Sequence, residues 1–271
     1  MGKKIAFIGA GSMAEAIISG IVKAQILKEG KIVATNKSNR ERLERLEKKY
    51  QIQPMMDKEA VIQDTDIIIL STKPYDLKDA IESIKAYIKP NQVIISVIAG
   101  ISSDHITKLI GTAVPVVRAM PNTSASIGYS ATAISAGDHA TDEHLGEAEE
   151  LFNTIGTTTI VPEADMHTVT GISGSGPAYI YYLVEAMEKA AVDSGLDKNT
   201  AMDLITQTVV GAGEMLKQSG ESAADLREKI TSPAGTTHAG IEVLKRHDFQ
   251  RTVMACVNSA RERSIELGET E

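Results

Sequence analysis

The sequence predicts an α/β domain with a doubly wound, parallel sheet, followed by an all-α domain. Short apolar runs alternate with helical patterns as far as residue 162, and only helical patterns follow. Strands that alternate with helices in this way form right-handed crossover units, which build a parallel sheet. The apolar runs are nearly continuous, which is typical of strands covered by helices on both faces. We therefore predict two domains, residues 1–162 and 163–271.

The elements follow from the spacing of apolar residues. Strands are predicted at residues 4–8, 32–35, 67–70, 93–97, 114–118, 129–134 and 157–161. Helices of the first domain are predicted at residues 13–27, 38–50, 76–88 and 142–155. Those of the second domain are predicted at residues 177–194, 199–219, 223–230, 236–245 and 249–267.

Composition excludes several classes of protein. The formal net charge of −8 disfavours binding to nucleic acid, which usually needs a basic face. Apolar runs all fall short of the ~20 residues that a membrane span requires. The single cysteine, Cys256, cannot form an internal disulfide and favours a cytoplasmic location. The spacing of the histidines predicts that the protein holds no metal.

A glycine-rich turn follows the first strand. Residues 9–14 read Gly-Ala-Gly-Ser-Met-Ala and open the first helix. Gly9 permits the tight turn, and Gly11 allows a pyrophosphate to approach the backbone. The helix N-terminus supplies free N–H groups and a positive dipole. The turn therefore predicts a Rossmann-type dinucleotide site, with Ser12 and Met13 beside the pyrophosphate.

The end of the second strand indicates which dinucleotide is bound. Enzymes that use NAD usually carry an acidic residue there, which binds the ribose 2′-hydroxyl. Here the strand is followed by Asn36, Lys37 and Arg40, with no acid among them. Cations would instead hold a 2′-phosphate, so NADPH is favoured and NADH stays possible. The alternative is that both cations are simply solvated residues at the start of a helix.

Further small or polar residues follow the later strands, where ligands bind in open α/β sheets. Thr72, Lys73 and Pro74 follow the strand at 67–70, and Ala99 follows the next one. These residues are candidates for the nicotinamide side of the cofactor. Residues 118–123 end another strand, so Met120 and Asn122 should also face the cleft.

Two clusters of small residues lie in the helical half. Residues 170–179 read Thr-Gly-Ile-Ser-Gly-Ser-Gly-Pro-Ala-Tyr, with Pro177 in a first helical turn and Ser175 as its N-cap. The glycines there allow close approach of either a helix or a ligand. Residues 230–237 lead into a helix, and the free N–H groups at Gly235, Thr236 and Thr237 suit a carboxylate. Capping by Thr236 is the structural alternative.

Together these segments resemble the pyrroline-5-carboxylate reductase family. The resemblance covers essentially the whole chain, and its most specific parts are Ser-Gly-Ser-Gly-Pro-Ala-Tyr at 173–179 and Thr-Ser-Pro-Ala-Gly-Thr-Thr at 231–237. It implies reduction of a cyclic imine to L-proline with NAD(P)H. It also implies that the all-α domain forms a homodimer, often assembled further into a decamer.

The resemblance also implies roles for individual residues. It places the substrate carboxylate at Gly235, Thr236 and Thr237, with the Thr237 hydroxyl near the ring nitrogen as the catalytic group. Family members often carry Asn where this chain has Asp57, so that contact with the adenosine is not transferred. The implied cofactor site comprises Gly9, Gly11, Ser12, Met13, Asn36, Lys37, Thr72, Lys73, Pro74 and Ala99. The implied substrate site comprises Gly235, Thr236, Thr237, Ser175, Gly176, Met120 and Asn122.

Two other functions fit part of the sequence. A β-hydroxyacid dehydrogenase also joins a dinucleotide domain to a helical one, but it needs a catalytic Lys soon after the glycine cluster. The first lysine after that cluster is Lys189, several helical turns away. A non-catalytic NADP-binding protein would need the glycine turn but not the pair of threonines at 236–237.

Overall fold

The computed structural model describes residues 2–28 and 30–269. One sheet of eight strands has the order β3-β2-β1-β4-β5-β6-β7-β8. The strands are β1 (Ile5–Ile8), β2 (Ile32–Thr35), β3 (Gln53–Pro54), β4 (Ile67–Leu70), β5 (Val93–Ser96), β6 (Val116–Met120), β7 (Ser130–Ala136) and β8 (Gly156–Ile160). The order reverses between β1 and β4, which is where open α/β sheets bind their ligands.

The sheet is parallel except at one place. β7 runs antiparallel to β6, whereas the other neighbouring strands are parallel. The segment between Met120 and Ser130 contains only a 3₁₀ turn. A parallel pair needs a crossover of a dozen or more residues, so this short connection forces the chain to reverse. A wholly parallel sheet is therefore the wrong expectation for this pair.

Helices cover the sheet and make up the rest of the chain. Those that lie between strands of the sheet are α1 (Ser12–Ala24), α2 (Arg40–Tyr50), α3 (Lys58–Gln63), α4 (Leu77–Glu82), α5 (Ser103–Ile110) and α6 (Asp142–Phe152). Those after the sheet are α7 (Met166–Val169), α8 (Gly176–Asp193), α9 (Lys198–Gln218), α10 (Ala223–Lys229), α11 (Thr236–Arg246) and α12 (Phe249–Glu269). Within the described ranges, no helix is both long enough and apolar enough to cross a bilayer.

Packing divides the chain into two compact units. The sheet unit contains residues up to 177 together with the chain from 257 onward, and the helical unit contains residues 178–256. β8, the last strand, ends at Ile160. A domain boundary after residue 162, as predicted, thus follows the end of the sheet, whereas compact packing continues to residue 177. The boundary stays a prediction about how the chain is organised.

The sheet unit has two apolar layers, one on each face of the sheet. Phe7 of β1 and Phe152 of α6 are fully buried in one layer, and Ile68 and Ile94 are fully buried in the other. Side chains alternate between the faces of a strand, so strands covered on both faces must be apolar throughout. This burial explains why β1, β2, β4 and β5 are all marked by apolar runs.

Candidate active site

The glycine-rich turn has the geometry that its sequence predicts. Gly9 has φ +108°, and a Cβ at this position would lie 2.6 Å from the carbonyl oxygen of Ser71. Only glycine fits there without strain. A Cβ on Gly11 would meet nothing within 4 Å, and Gly11 is the N-cap of α1. The space beside Gly11 is therefore open to a ligand at the helix N-terminus.

Arg42 of α2 fixes the outer side of this turn. Its Nε donates a 2.8 Å hydrogen bond to the carbonyl of Ala10, and its Nη2 donates at 3.2 Å to the carbonyl of Gly11. The same Nη2 lies 2.6 Å from the Glu15 carboxylate. Burial works to raise the pKa of Glu15, but hydrogen bonds from Arg42, Lys49 and Tyr50 together hold it below its ordinary value. The sequence analysis gives no role to this clamp.

Two lysines lie at the end of β2, and only one of them faces carboxylates. The Lys37 ammonium is 3.1 Å from Asp79 and 3.8 Å from Asp76, and the hydrogen bond to Asp79 raises its pKa. The Lys58 ammonium donates to Thr35 Oγ1 at 2.6 Å and to the Asn36 carbonyl at 3.4 Å. Burial lowers the pKa of Lys58. The two acids follow β4, so the sequence around β2 does not reveal them.

Two buried polar atoms in this region have no partner within the described part of the chain. They are Asn36 Oδ1 and Thr72 Oγ1. The amide nitrogen of Asn36 is occupied, because it donates to the Asn39 carbonyl at 2.7 Å. Buried polar atoms are nearly always hydrogen-bonded. Asn36 Oδ1 can thus accept a hydrogen bond from a bound ligand, and the Thr72 hydroxyl can donate or accept one.

One cavity of about 1090 Å³ brings the predicted cofactor residues together. Its size reaches the upper end of the ~300–1,000 Å³ range of small-molecule sites. Every predicted cofactor residue lines it, namely Gly9, Gly11, Ser12, Met13, Asn36, Lys37, Thr72, Lys73, Pro74 and Ala99. The lining includes Thr123 of the predicted segment 118–123, and also residues that the sequence analysis misses, among them Met56, Lys58, Asp76, Asp79, Ser83 and Ser126. The open cradle at Gly11 and the two unpartnered atoms fit a dinucleotide.

Asp57, whose role the sequence leaves undecided, has a structural task. It is the N-cap of α3, and its side chain accepts hydrogen bonds from the backbone N–H groups of Glu59 and Ala60. Aspartate is among the preferred N-cap residues. Capping of α3 is therefore sufficient to explain an aspartate at position 57.

Among the predicted substrate residues of the sheet unit, Met120 and Asn122 do not line the cavity and instead contact residues 173–174. Asn122 Nδ2 donates to the Ser173 carbonyl at 3.1 Å, and Asn122 Oδ1 accepts from Ser124 N–H at 3.0 Å. A Cβ on Gly174 would lie 2.7 Å from the Met120 methyl group, so glycine allows this close packing. The chain around them folds into a single π-helical turn, Thr170–Gly174.

Ser175 and Gly176 continue this helical path. Ser175 has φ −89° and ψ −21°, which are helical values, whereas an N-cap has an extended backbone. The prediction of Ser175 as an N-cap is therefore wrong, because the chain is already helical when it reaches Gly176. Pro177 does lie in the first turn of α8. A Cβ on Gly171 would meet the Val257 carbonyl at 2.6 Å, so at least this glycine serves helix packing.

The helical unit presents the second predicted substrate cluster at the start of α11. Gly235 is the N-cap with an extended backbone, and no side chain caps the helix. The alternative in which Thr236 caps the helix is thus not what the structure shows. Ala234 has φ +60°, a left-handed conformation that is uncommon for alanine. The Gly235 N–H donates to the Ser232 carbonyl at 3.0 Å, whereas the N–H groups of Thr236 and Thr237 lie in the first turn of α11, where they suit an anion such as a carboxylate.

Comparison with known proteins decides the family. Residues 163–267 match the family model described as pyrroline-5-carboxylate reductase dimerisation. Over 267 residues the chain is 48% identical to pyrroline-5-carboxylate reductase 2 of Bacillus subtilis, covering 98% of this chain and 96% of that protein. The chain belongs to the pyrroline-5-carboxylate reductase family. The predicted resemblance and the predicted fold class are both confirmed.

Solved structures of the family agree with this assignment. A pyrroline-5-carboxylate reductase of Coxiella burnetii superposes with a TM-score of 0.90 at 32% identity, covering 98% of this chain and 99% of that one. A Plasmodium falciparum pyrroline carboxylate reductase, solved with NADP bound, gives a TM-score of 0.89 at 29% identity, covering 98% of each chain. Residues 4–100 also match the model described as NADP oxidoreductase, coenzyme F420-dependent. The sheet unit therefore carries an NADP-binding domain.

Proposed function

We propose that the chain reduces 1-pyrroline-5-carboxylate to L-proline and prefers NADPH to NADH. One observation carries this proposal: in a member of this reductase family, all the predicted cofactor residues line a single cavity at the switch point of the sheet. When bound, NADPH supplies the hydride that the reaction needs. The residues of the chain must bind and orient the two reactants.

The sheet unit would hold the cofactor. The α1 N-terminus and the open backbone at Gly11 suit the pyrophosphate, and Arg42 keeps the turn in shape from outside. Asn36, Lys37 and Lys58 suit the adenosine ribose, and Thr72 to Pro74 with Ala99 suit the nicotinamide side. The preference for NADPH rests on the absence of an acid at the end of β2 itself.

The helical unit would supply groups that recognise the substrate. Backbone N–H groups at Thr236 and Thr237 would bind the substrate carboxylate, with Gly235 beside them as the N-cap. The Thr237 hydroxyl would then lie at the ring nitrogen, where it can donate a hydrogen bond to the lone pair that develops as the hydride reaches the carbon. A protonated imine is already electrophilic, so its carbon accepts the hydride while the nitrogen keeps the proton and becomes an amine. Such chemistry needs orientation more than a strong acid.

Four further residues are predicted to bind the substrate, but the structure gives less support for them. Met120, Asn122, Ser175 and Gly176 remain proposals for the substrate site, although both polar groups of Asn122 already have protein partners. The contacts of Met120 and Asn122 with residues 173–174 support a positioning task for this part of the sheet unit. Asn122→Ala would distinguish direct binding from positioning, because only a binding role would raise KM without lowering the melting temperature.

Self-association belongs to the same proposal. The match to a dimerisation model supports a homodimer, and the resemblance further implies a decamer. A cytoplasmic location is supported by the one free thiol, Cys256, which suits a reducing compartment.

A direct assay tests the proposed reaction. The full chain, mixed with pyrroline-5-carboxylate and NADPH, should oxidise the coenzyme and form an equal amount of proline. The kcat/KM should be higher with NADPH than with NADH. Absence of proline, or an equal rate of NADP+ reduction with β-hydroxyacids as substrates, would contradict the proposal.

A further inference from the structure

Two ammonium groups lie in the part of the cavity at the end of β2, and they differ in their charge environment. Lys37 is paired with Asp79 and lies near Asp76, and its side chain is 72% exposed. Lys58 is half-buried, and in the described part of the chain its polar partners are the Thr35 hydroxyl and the Asn36 carbonyl. Within residues 2–28 and 30–269, no carboxylate forms an ion pair with Lys58.

The uncompensated charge makes Lys58 the better anion-binding group. A phosphate near Lys37 would also meet the two carboxylates that already bind this lysine, and like charges repel it. Lys58 brings a full positive charge without that opposition. An ammonium has three N–H donors, and the two protein contacts leave one of them available.

The position of Lys58 connects this charge to the adenosine ribose. Its two partners, Thr35 and Asn36, are the last residue of β2 and the residue that follows it. In dinucleotide-binding sheets this is where the ribose 2′ position lies. Asn36 also contributes its unpartnered Oδ1 to the same part of the cavity.

We propose that Lys58, rather than Lys37, is the main residue that distinguishes NADPH from NADH, by binding the 2′-phosphate. The inference rests on the proposed use of NADPH and assigns the preference to one side chain. Lys37 then has a secondary part, since Asp76 and Asp79 offset its charge. Burial lowers the pKa of Lys58 because it disfavours the charged form of the ammonium. A bound anion would stabilise that charged form.

The test compares variants of the full chain by coenzyme titration, monitored by fluorescence. Lys58→Met should raise the Kd for NADPH on the order of 10- to 100-fold, the range of a lost hydrogen bond between charged groups. The Kd for NADH should change less than about 2-fold, because NADH has no 2′-phosphate. Lys58→Arg should recover most of the affinity for NADPH, and Lys37→Met should lose less than Lys58→Met does.

A matched control removes the same charge elsewhere. Lys89 donates to the Gln63 carbonyl at the other end of α3, and it does not line the cavity. Lys89→Met should leave the ratio of the two coenzyme affinities unchanged. Competition by adenosine 2′,5′-bisphosphate against adenosine 5′-monophosphate gives a second readout, since only the former should bind less well to Lys58→Met.

Each outcome decides the question. Equal losses for NADPH and NADH would show that Lys58 only holds β2 and α3 together, which would overturn the inference. Unchanged NADPH affinity in Lys58→Met, or a larger loss in Lys37→Met, would overturn it too. Should Lys58→Met fail to fold, Lys58→Gln gives the same comparison. A wild-type chain that binds no NADPH would instead contradict the proposed function.

Discussion

The sheet unit and the helical unit bury their apolar residues very differently. In the described part of the sheet unit, the strands and the helices over them form two layers of fully buried side chains. In the helical unit, only Ala201 and Ile205 are buried apolar residues. Its exposed large apolar residues include Ile180, Tyr181, Tyr182, Leu183, Met187, Leu204, Val210, Met215, Leu216, Leu244, Val253 and Met254.

This contrast indicates which unit is complete by itself. Monomeric proteins rarely expose contiguous apolar patches beyond a few hundred Å², and larger ones mark interaction sites. The sheet unit has the core of an independent domain, whereas the apolar helices of the helical unit need a partner surface. The match of residues 163–267 to a dimerisation model agrees with this difference.

The largest expected effect concerns the cofactor loop of the sheet unit. Gly11→Val puts a side chain where the protein leaves open space, so the fold should persist and the coenzyme should be excluded. We expect kcat/KM for NADPH to fall on the order of 100-fold, the cost of displacing a reactant by ~1 Å. The melting temperature should stay within a few degrees.

Gly9→Ala provides the contrasting control for that measurement. Its Cβ would collide with the Ser71 backbone at a φ of +108°, so this variant should unfold at a clearly lower temperature. If Gly9→Ala were as stable as Gly11→Val, the two glycines would not have the different roles assigned to them.

The next effect concerns self-association through the helical unit. Tyr182 of α8 is 77% exposed, and Tyr129 of the sheet unit is 73% exposed. Tyr182→Glu should weaken the dimer by at least ~30-fold in Kd, as expected for an aromatic residue at an interface. Tyr129→Glu should leave the dimer intact. Sedimentation velocity would measure both dimers. Dissociation of the Tyr129→Glu dimer, with the Tyr182→Glu dimer intact, would place the interface on the sheet unit and contradict this prediction.

A smaller effect is expected at the Arg42 clamp. Arg42→Met removes the two hydrogen bonds to the glycine turn, so affinity for NADPH and for NADH should fall together, on the order of 10-fold. Arg45 is the matched control, because its Nη2 lies 3.9 Å from Glu15 and forms no hydrogen bond to the turn among the described residues. Coenzyme titration of both variants measures this difference. A loss confined to NADPH would count against the positioning role of Arg42.

The fold could be predicted from the sequence wherever burial imposes a pattern. β2 and β4 begin and end at the predicted residues, because both faces of each strand are covered and every side chain is apolar or small. β3 and α3 escape prediction because two and six residues are too short to show a period. The predicted helix at 76–88 is broken instead, since α4 ends at Glu82 and a 3₁₀ turn follows.

In the candidate site, the sequence predicts local geometry but not contacts between residues that are far apart in the chain. The glycine turn is local, so its sequence predicts its geometry. The partners of Lys37 are 39 and 42 positions away in the chain, and only the pairing of β1 with both β2 and β4 brings them close. The contact of Lys58 with Thr35 likewise depends on tertiary packing. A residue-by-residue interpretation of β2 therefore finds Lys37 and misses Lys58.

The central claim is that the sheet unit binds the cofactor and the helical unit recognises the substrate. A substitution at Thr237 tests this claim most directly. Thr237→Ala keeps the backbone N–H groups at the start of α11 and removes only the hydroxyl. If this hydroxyl acts in the transition state, kcat and kcat/KM for pyrroline-5-carboxylate should fall together by ~10- to 1000-fold. The Kd for NADPH should be unchanged, since the cofactor residues belong to the sheet unit. Thr252→Ala, which removes an exposed helical threonine outside the site, should keep normal turnover. Near-normal kcat in Thr237→Ala, or a large loss of NADPH binding, would contradict the account.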